Sequence, residues 1–262
     1  MKNKEGNFKG VEDFNIYYQC WLPEENPGAV LLVAHGFAEH SGRYMNLVNY
    51  FVPKGYAVYA LDHRGHGRSD GERVQIKKFT DYLKDLKTFF DIVREENPDV
   101  KIFLVGHSMG AAISTSYVIR QQHELAGLIL SGGGIVTKDM DLPRRNPGEP
   151  LDTAFLSRDP AVIEAYENDP LVYRGPLPER SGPALAGYEL AELVPQIKLP
   201  ILIMAGNDPL VTDGIRSKAL YERVGSEDKT LKLYDNLRHE IFNEPEHKEV
   251  MAEIENWLKA HM

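Results

Sequence analysis

Ile102-Phe103-Leu104-Val105-Gly106-His107-Ser108-Met109-Gly110-Ala111-Ala112-Ile113 is the stretch that decides the fold of this 262-residue chain. It opens with a continuous apolar run, passes through a glycine-framed serine and continues into small residues. An uninterrupted apolar run predicts a strand buried on both faces, as in a parallel sheet. The small residues after it predict the start of a helix. Glycines two before and two after Ser108 suit a sharp strand-to-helix turn, because they let a neighbouring strand and the helix approach closely. The hydroxyl is then held out at the top of the sheet, beside free N–H groups at the positive end of a helix dipole. Ser108 is therefore a candidate nucleophile.

The same rhythm runs outward in both directions. Residues 14–22 read as a strand, as do 29–34, 56–61, 127–130 and 201–204; residues 230–234 alternate and read as half exposed. Between them, Phe79, Tyr82, Leu83, Leu86, Phe90 and Val93 fall at steps of three and four, making one helical stripe. Residues 110–121 and 215–224 are also helix-like, and Val250, Ile254, Trp257 and Leu258 mark a closing helix. Strand and helix in alternation predict an α/β protein with a mostly parallel, doubly wound sheet. Residues 136–191 break the pattern. They hold no strand run, and eight of the sixteen prolines lie between Pro143 and Pro183, yet Leu151, Phe155, Leu156, Ile163 and Tyr166 give the region apolar substance. The reading is an inserted, mainly helical cap at 136–191 between two core segments, 1–135 and 192–262.

Composition narrows the classes. With 42% hydrophobic and 26% charged residues the chain is neither disordered nor fibrous. A net charge of -9 argues against nucleic acid and against docking on strongly anionic membranes. The single cysteine, Cys20, can form neither an internal disulfide nor a zinc cluster, and its apolar setting makes it a core residue. Met1 to Asn7 lacks the apolar stretch of a secretory leader, and no window reaches 18 apolar residues, so a cytoplasmic protein is expected.

A serine hydroxyl needs a base. Of the nine histidines, His239 lies just past residues 230–234, where a late strand hands over to a loop. His247 sits in a polar helical stretch, and His123 falls at the far end of the helix after Ser108. The orienting acid is expected on the loop after 201–204, in Ala205-Gly206-Asn207-Asp208-Pro209-Leu210-Val211, which makes Asp208 the candidate. Asp213 is on the same loop, but Asp213-Gly214-Ile215 reads better as a helix N-cap. Two backbone N–H groups are the expected oxyanion donors: that of Met109, and that of Phe37 in His35-Gly36-Phe37-Ala38-Glu39-His40. His35 is expected to hold that loop by a local hydrogen bond. Residues 61–71 are dense in histidine, aspartate, arginine and glycine, and read as a tight, internally bonded loop and not as a metal site.

Three segments together, His35-Gly36-Phe37-Ala38-Glu39-His40-Ser41-Gly42-Arg43-Tyr44, Asp62-His63-Arg64-Gly65-His66-Gly67-Arg68-Ser69 and Gly106-His107-Ser108-Met109-Gly110, resemble the monoacylglycerol lipase-like serine hydrolases of the α/β-hydrolase superfamily. The resemblance covers nearly the whole chain. It implies the α/β-hydrolase fold, a Ser108, Asp208 and His239 triad, no cofactor, no metal and a small lipid ester as substrate. By the same resemblance Glu39 and Arg43 would line the polar end near a glycerol group, although the two could instead brace the loop as an ion pair. Residues 137–152 depart from the family pattern. They are polar and proline-rich with no amphipathic membrane-binding helix, which fits short to medium acyl chains and no strong membrane anchoring. A carboxylesterase or lysophospholipase with another alcohol part is the alternative, and a non-catalytic ligand-binding protein of the same fold is the remote one. A monomer or weak homodimer is expected.

Overall fold

The computed structural model describes residues 1–75, 77–137, 140, 148–176 and 189–262. Its centre is an eight-stranded sheet, β1 (Lys2–Lys9), β2 (Asn15–Leu22), β3 (Ala29–Ala34), β4 (Tyr56–Leu61), β5 (Lys101–His107), β6 (Gly127–Ser131), β7 (Ile201–Gly206) and β8 (Lys229–Tyr234). The strands lie in the order β1-β2-β4-β3-β5-β6-β7-β8. From β4 to β8 every pairing is parallel; β1–β2 and β2–β4 are antiparallel. This is the mostly parallel, doubly wound sheet that the sequence predicts.

The apolar runs are continuous because helices cover both faces. Every residue of β3 is 0% exposed. Val30 and Leu32 face one cluster, with Tyr82, Leu86 and Phe90 of α2 (Phe79–Glu96), Ile113 and Tyr117 of α3 (Met109–Gln121) and Leu220 of α6 (Asp213–Arg223). Leu31 and Val33 face the other, with Leu47 and Phe51 of α1 (Met45–Phe51) and Ile254 and Leu258 of α7 (His247–His261). Each such side chain contributes roughly 1.5–3 kcal/mol on burial. Cys20 is one of them, 1% exposed, its thiol pushed up to about 11 by burial and then by Glu96.

The strand β1 is absent from the sequence reading. Its pattern is polar, and only Phe8 is buried. It exists because β2 offers it a complete antiparallel partner, from Lys2 opposite Leu22 to Lys9 opposite Asn15. Its charged residues suit the edge of a sheet, where they discourage pairing with other chains.

Between β6 and β7 no strand occurs among the described residues. The segment there contains α4 (Pro160–Asn168) and its own small apolar cluster, Leu156, Tyr166 and Val172. Most of the polar, proline-rich stretch at 137–152 lies outside the described residues. A fifth helix in chain order, α5 (Glu189–Leu193), leads back to the sheet.

The chain leaves β3 toward β4 and then returns to β5 on the other side of β3. The loops that follow β3 and β5 therefore part at the carboxyl ends of the strands. A crevice at such a switch point is where open α/β sheets place their chemistry.

Candidate active site

Ser108 stands at that crevice. It is the residue between β5 and α3, with φ 54° and ψ −114°, a strained conformation for a residue with a side chain. Such a backbone costs on the order of 1–3 kcal/mol and persists only where the surroundings enforce it. Here they do. A Cβ on Gly110 would lie 1.9 Å from the Ala34 carbonyl oxygen, and one on Gly106 would lie 2.6 Å from the Gly110 carbonyl oxygen. Only glycine permits α3 to press this closely on the ends of β3 and β5. The Ser108 N–H donates to the Ser131 carbonyl at 2.9 Å, which fixes the turn from the β6 side.

His239 reaches Ser108 from the loop after β8. Its Nε2 is 2.8 Å from Ser108 Oγ, and its Nδ1 is 2.6 Å from Asp213 Oδ2. An ionised Asp213 can only accept, so it takes the Nδ1 proton and leaves the Nε2 lone pair toward the hydroxyl. Burial pushes the Asp213 carboxyl up, but the hydrogen bond from His239 and the nearby Arg216 outweigh it and hold the group below its ordinary range. His107, whose ring centroid is 4.8 Å from that of His239, is pushed down chiefly by burial. It sits there as a neutral neighbour, its Nδ1 donating to the Ser131 carbonyl at 3.1 Å.

Asp208 therefore does not occupy the expected position beside the imidazole. Its Oδ1 accepts the Leu210 N–H at 2.8 Å, closing a local turn, and its Oδ2 is 3.9 Å from Arg238 Nε. Asp213 is not the N-cap the sequence suggests. The N-cap is Thr212, without a side-chain cap bond, and Asp213 is the first residue of α6. The start of α6 is pinned against the chain after β6, where Ser217 Oγ donates to the Gly133 carbonyl at 2.5 Å and Ile135 N–H donates to the Arg216 carbonyl. That contact carries Asp213 into the crevice. Gly132, at φ +59°, leaves the room, since a Cβ there would lie 3.1 Å from His239 Nδ1.

The two expected oxyanion donors flank the serine. Met109 opens α3, so its N–H has no partner within the helix. Phe37 lies in the loop after β3, and among the described residues its N–H has no acceptor. Its peptide unit is held firmly. The Gly36 carbonyl accepts from His35 Nδ1 at 2.7 Å, and His35 Nε2 accepts the His63 N–H at 2.8 Å.

Glu39 and Arg43 form the brace that the sequence left open as an alternative. Glu39 Oε1 accepts the Gly36 N–H at 2.6 Å and the Tyr44 hydroxyl at 2.8 Å, while Arg43 binds Glu39 Oε2 at 3.1 Å. Glu240, which sequence reasoning missed, accepts two further bonds from Arg43 at 2.6 and 2.9 Å. Its only signal in sequence is its place beside His239.

The segment after β6 closes over this arrangement. His239 N–H donates to the Phe155 carbonyl at 3.1 Å and Glu240 N–H to the Leu156 carbonyl at 2.7 Å. Leu151, Phe155, Leu156 and Tyr166 bound a space of about 20 Å³ over Ser108. That holds a water-sized group. In the 62–69 loop, Asp62 receives the Ser41 N–H and hydroxyl on one oxygen and the Arg68 N–H on the other.

Residues 25–246 match the Hydrolase_4 family model, described as serine aminopeptidase, S33. A monoacylglycerol lipase of Mycolicibacterium smegmatis is 38% identical over 275 residues, covering 98% of each chain. A mouse monoglyceride lipase is 31% identical, covering 93% of this chain and 86% of its own. A thermostable carboxyl esterase from Bacillus coagulans, solved in complex with glycerol, superposes with a TM-score of 0.85 at 25% identity, covering 100% of this chain and 99% of its own.

Proposed function

The chain belongs to the Hydrolase_4 family (serine aminopeptidase, S33), and from that premise we propose that it is a serine carboxylic ester hydrolase that cleaves monoacylglycerols or similar lipid esters. The observation that carries the reading is the relay from Ser108 through His239 to Asp213, at 2.8 and 2.6 Å. The relatives named as monoacylglycerol lipases support the substrate class.

His239 takes the Ser108 proton as Oγ attacks the ester carbonyl. The new oxyanion is held by the N–H groups of Phe37 and Met109, each typically worth roughly 10²- to 10³-fold in rate. His239 then gives its proton to the leaving alcohol, and the acyl group remains on Ser108. Water, deprotonated by His239, attacks that acyl ester, and collapse returns the serine and frees the acid. Asp213 fixes the imidazole and stabilises its charged form throughout.

Residues 136–191 act as the cap of this reading, with 1–135 and 192–262 as the core. The separate cluster of Leu156, Tyr166 and Val172 supports that division. Leu151, Phe155, Leu156 and Tyr166 of this segment line the space over Ser108, where an acyl chain would meet them. No helix among the described residues is long and apolar enough to cross a membrane. We place the protein in the cytoplasm as a monomer or weak homodimer, a reading supported by its charge of -9 and by a lone, buried cysteine.

A fluorophosphonate probe tests the proposal. It should label the native chain once and fail on Ser108→Ala. Monoacylglycerols, lysophospholipids and p-nitrophenyl esters of graded length then rank the alcohol and acyl parts. A native chain that takes no label, or labelling that survives Ser108→Ala, overturns it.

A further inference from the structure

We propose that Glu240 is a positioning residue that ties the oxyanion loop to the catalytic histidine through Arg43 and Glu39, an inference that rests on the ester hydrolase reading. The chain of contacts is continuous. Glu240 follows His239 directly. Its two carboxylate oxygens grip the Arg43 guanidinium at 2.6 and 2.9 Å, in the planar fork that arginine offers a carboxylate. Asn243 Nδ2 donates to the same group at 3.0 Å. Arg43 passes the hold to Glu39, and Glu39 Oε1 receives the Gly36 N–H at 2.6 Å. That N–H lies one peptide before the Phe37 N–H, which is an oxyanion donor in this mechanism.

The clamp fixes both ends of one short distance. On one side is His239, whose main chain is anchored to the Phe155 carbonyl. On the other is the Phe37 peptide, aimed by His35 on the Gly36 carbonyl and by Glu39 on the Gly36 N–H. The peptide bond is planar, so setting the Gly36 carbonyl sets the direction of the Phe37 N–H opposite it. A Cβ on Gly36 would lie 2.7 Å from Glu39 Oε1, so the carboxylate seats directly over this backbone.

All three ionised side chains are enclosed, with exposures of 5% for Glu39, 9% for Arg43 and 4% for Glu240. The Tyr166 ring covers the guanidinium, 4.6 Å from its centroid. Burial pushes the Glu240 carboxyl up, but Arg43 prevails and holds it down at about 2. The pair therefore stays charged across the working range. Buried ion pairs often add little to stability but fix one geometry. Here the geometry they fix is the distance between base and oxyanion donors. Catalysis is sensitive to such distances, and a displacement of about 1 Å can cost roughly 10²-fold.

Glu240→Gln keeps the shape and removes the charge that grips Arg43. With p-nitrophenyl butyrate, kcat should fall roughly 10- to 100-fold while KM stays within about threefold. The fluorophosphonate labelling rate should fall in parallel, while the final fraction labelled stays at the native level, since every site is still built. Glu39→Gln combined with Glu240→Gln should lose no more than Glu39→Gln alone, because the two act in series. Should Glu240→Gln fail to fold, the charge-neutral pair Arg43→Gln with Glu240→Gln carries the same expectation of lost kcat at constant KM. A folded variant with native kcat, a loss confined to KM, or independent effects of the two glutamates overturns the clamp. A native chain that neither labels nor turns over overturns the parent reading and the clamp with it. Native labelling alongside an indifferent Glu240→Gln overturns the clamp alone.

Discussion

Exchanging Asp213 for asparagine separates the two acids of one loop. Asp213 Oδ2 is 2.6 Å from His239 Nδ1, and the aspartate is 3% exposed, so no solvent replaces a lost charge. During attack the imidazole becomes positive. Two unit charges with centres roughly 4 Å apart interact by about 4 kcal/mol at an effective dielectric near 20. At about 1.4 kcal/mol per tenfold, that is roughly 10³-fold in rate. Asparagine also brings an N–H₂ that can donate to Nδ1. This selects the tautomer with the proton on Nε2, which faces Ser108 with a donor in place of an acceptor. The total loss in kcat should then approach roughly 10⁴-fold, as for triads whose acid is amidated. Asp208→Asn provides the contrast. Its Oδ1 accepts the Leu210 N–H at 2.8 Å, a turn that asparagine closes equally well. That variant should stay within about threefold of native. Steady-state turnover of p-nitrophenyl butyrate at neutral pH, with melting temperature as a check on folding, measures both. If folded Asp213→Asn retains more than about a tenth of native kcat, or if Asp208→Asn loses as much as Asp213→Asn, the assignment of the acid is wrong.

Three further outcomes follow from the structure. Burial pushes His35 to about 4 and His66 to about 3, and it pushes His63 down as well, helped by the two neighbouring rings. Unfolded histidine titrates near 6.5, so the stability these groups confer is complete above that pH and is lost as pH falls from there toward their folded values. Both His63 ring nitrogens lack partners among the described residues; His63→Phe should shrink the fall in melting temperature between pH 7 and pH 4.5, read by circular dichroism. Gly110→Ala, with its Cβ 1.9 Å from the Ala34 carbonyl oxygen, should cost roughly 3 kcal/mol or more, a drop in melting temperature of about 6–12 °C. Cys20, its thiol at about 11 and 1% exposed, should ignore a disulfide reagent at pH 8 until denaturant is added.

What the sequence displays and what it hides divide along a physical line. The core strands are legible because helices cover both faces of the sheet, and that turns topology into composition: six successive buried residues in β3 read as six successive apolar letters. The serine turn is legible because only glycine tolerates the contacts that Gly106 and Gly110 make. The strand β1 is illegible for the opposite reason. An edge strand is held by backbone pairing, and pairing leaves no mark on side-chain type.

Asp213 shows the same limit within the site. An aspartate beside a glycine at a helix start satisfies the local rule for a cap, and nothing nearby contradicts it. What overrides the rule is a contact 84 residues away in sequence, Ser217 on the Gly133 carbonyl, which turns the first residue of α6 toward His239. Asp208 satisfies its own local rule, closing a turn onto Leu210, and is thereby occupied. Two carboxylates five residues apart are chemically alike, and their environments alone separate them. The same reasoning applies to Arg43. A charged residue on a loop after a strand reads equally well as a ligand contact or as a brace until its partner is known, and that partner, Glu240, lies 197 residues further along. Motifs report what a backbone requires of its own neighbourhood. The distances that make a relay are set between elements, and only the assembled fold contains them.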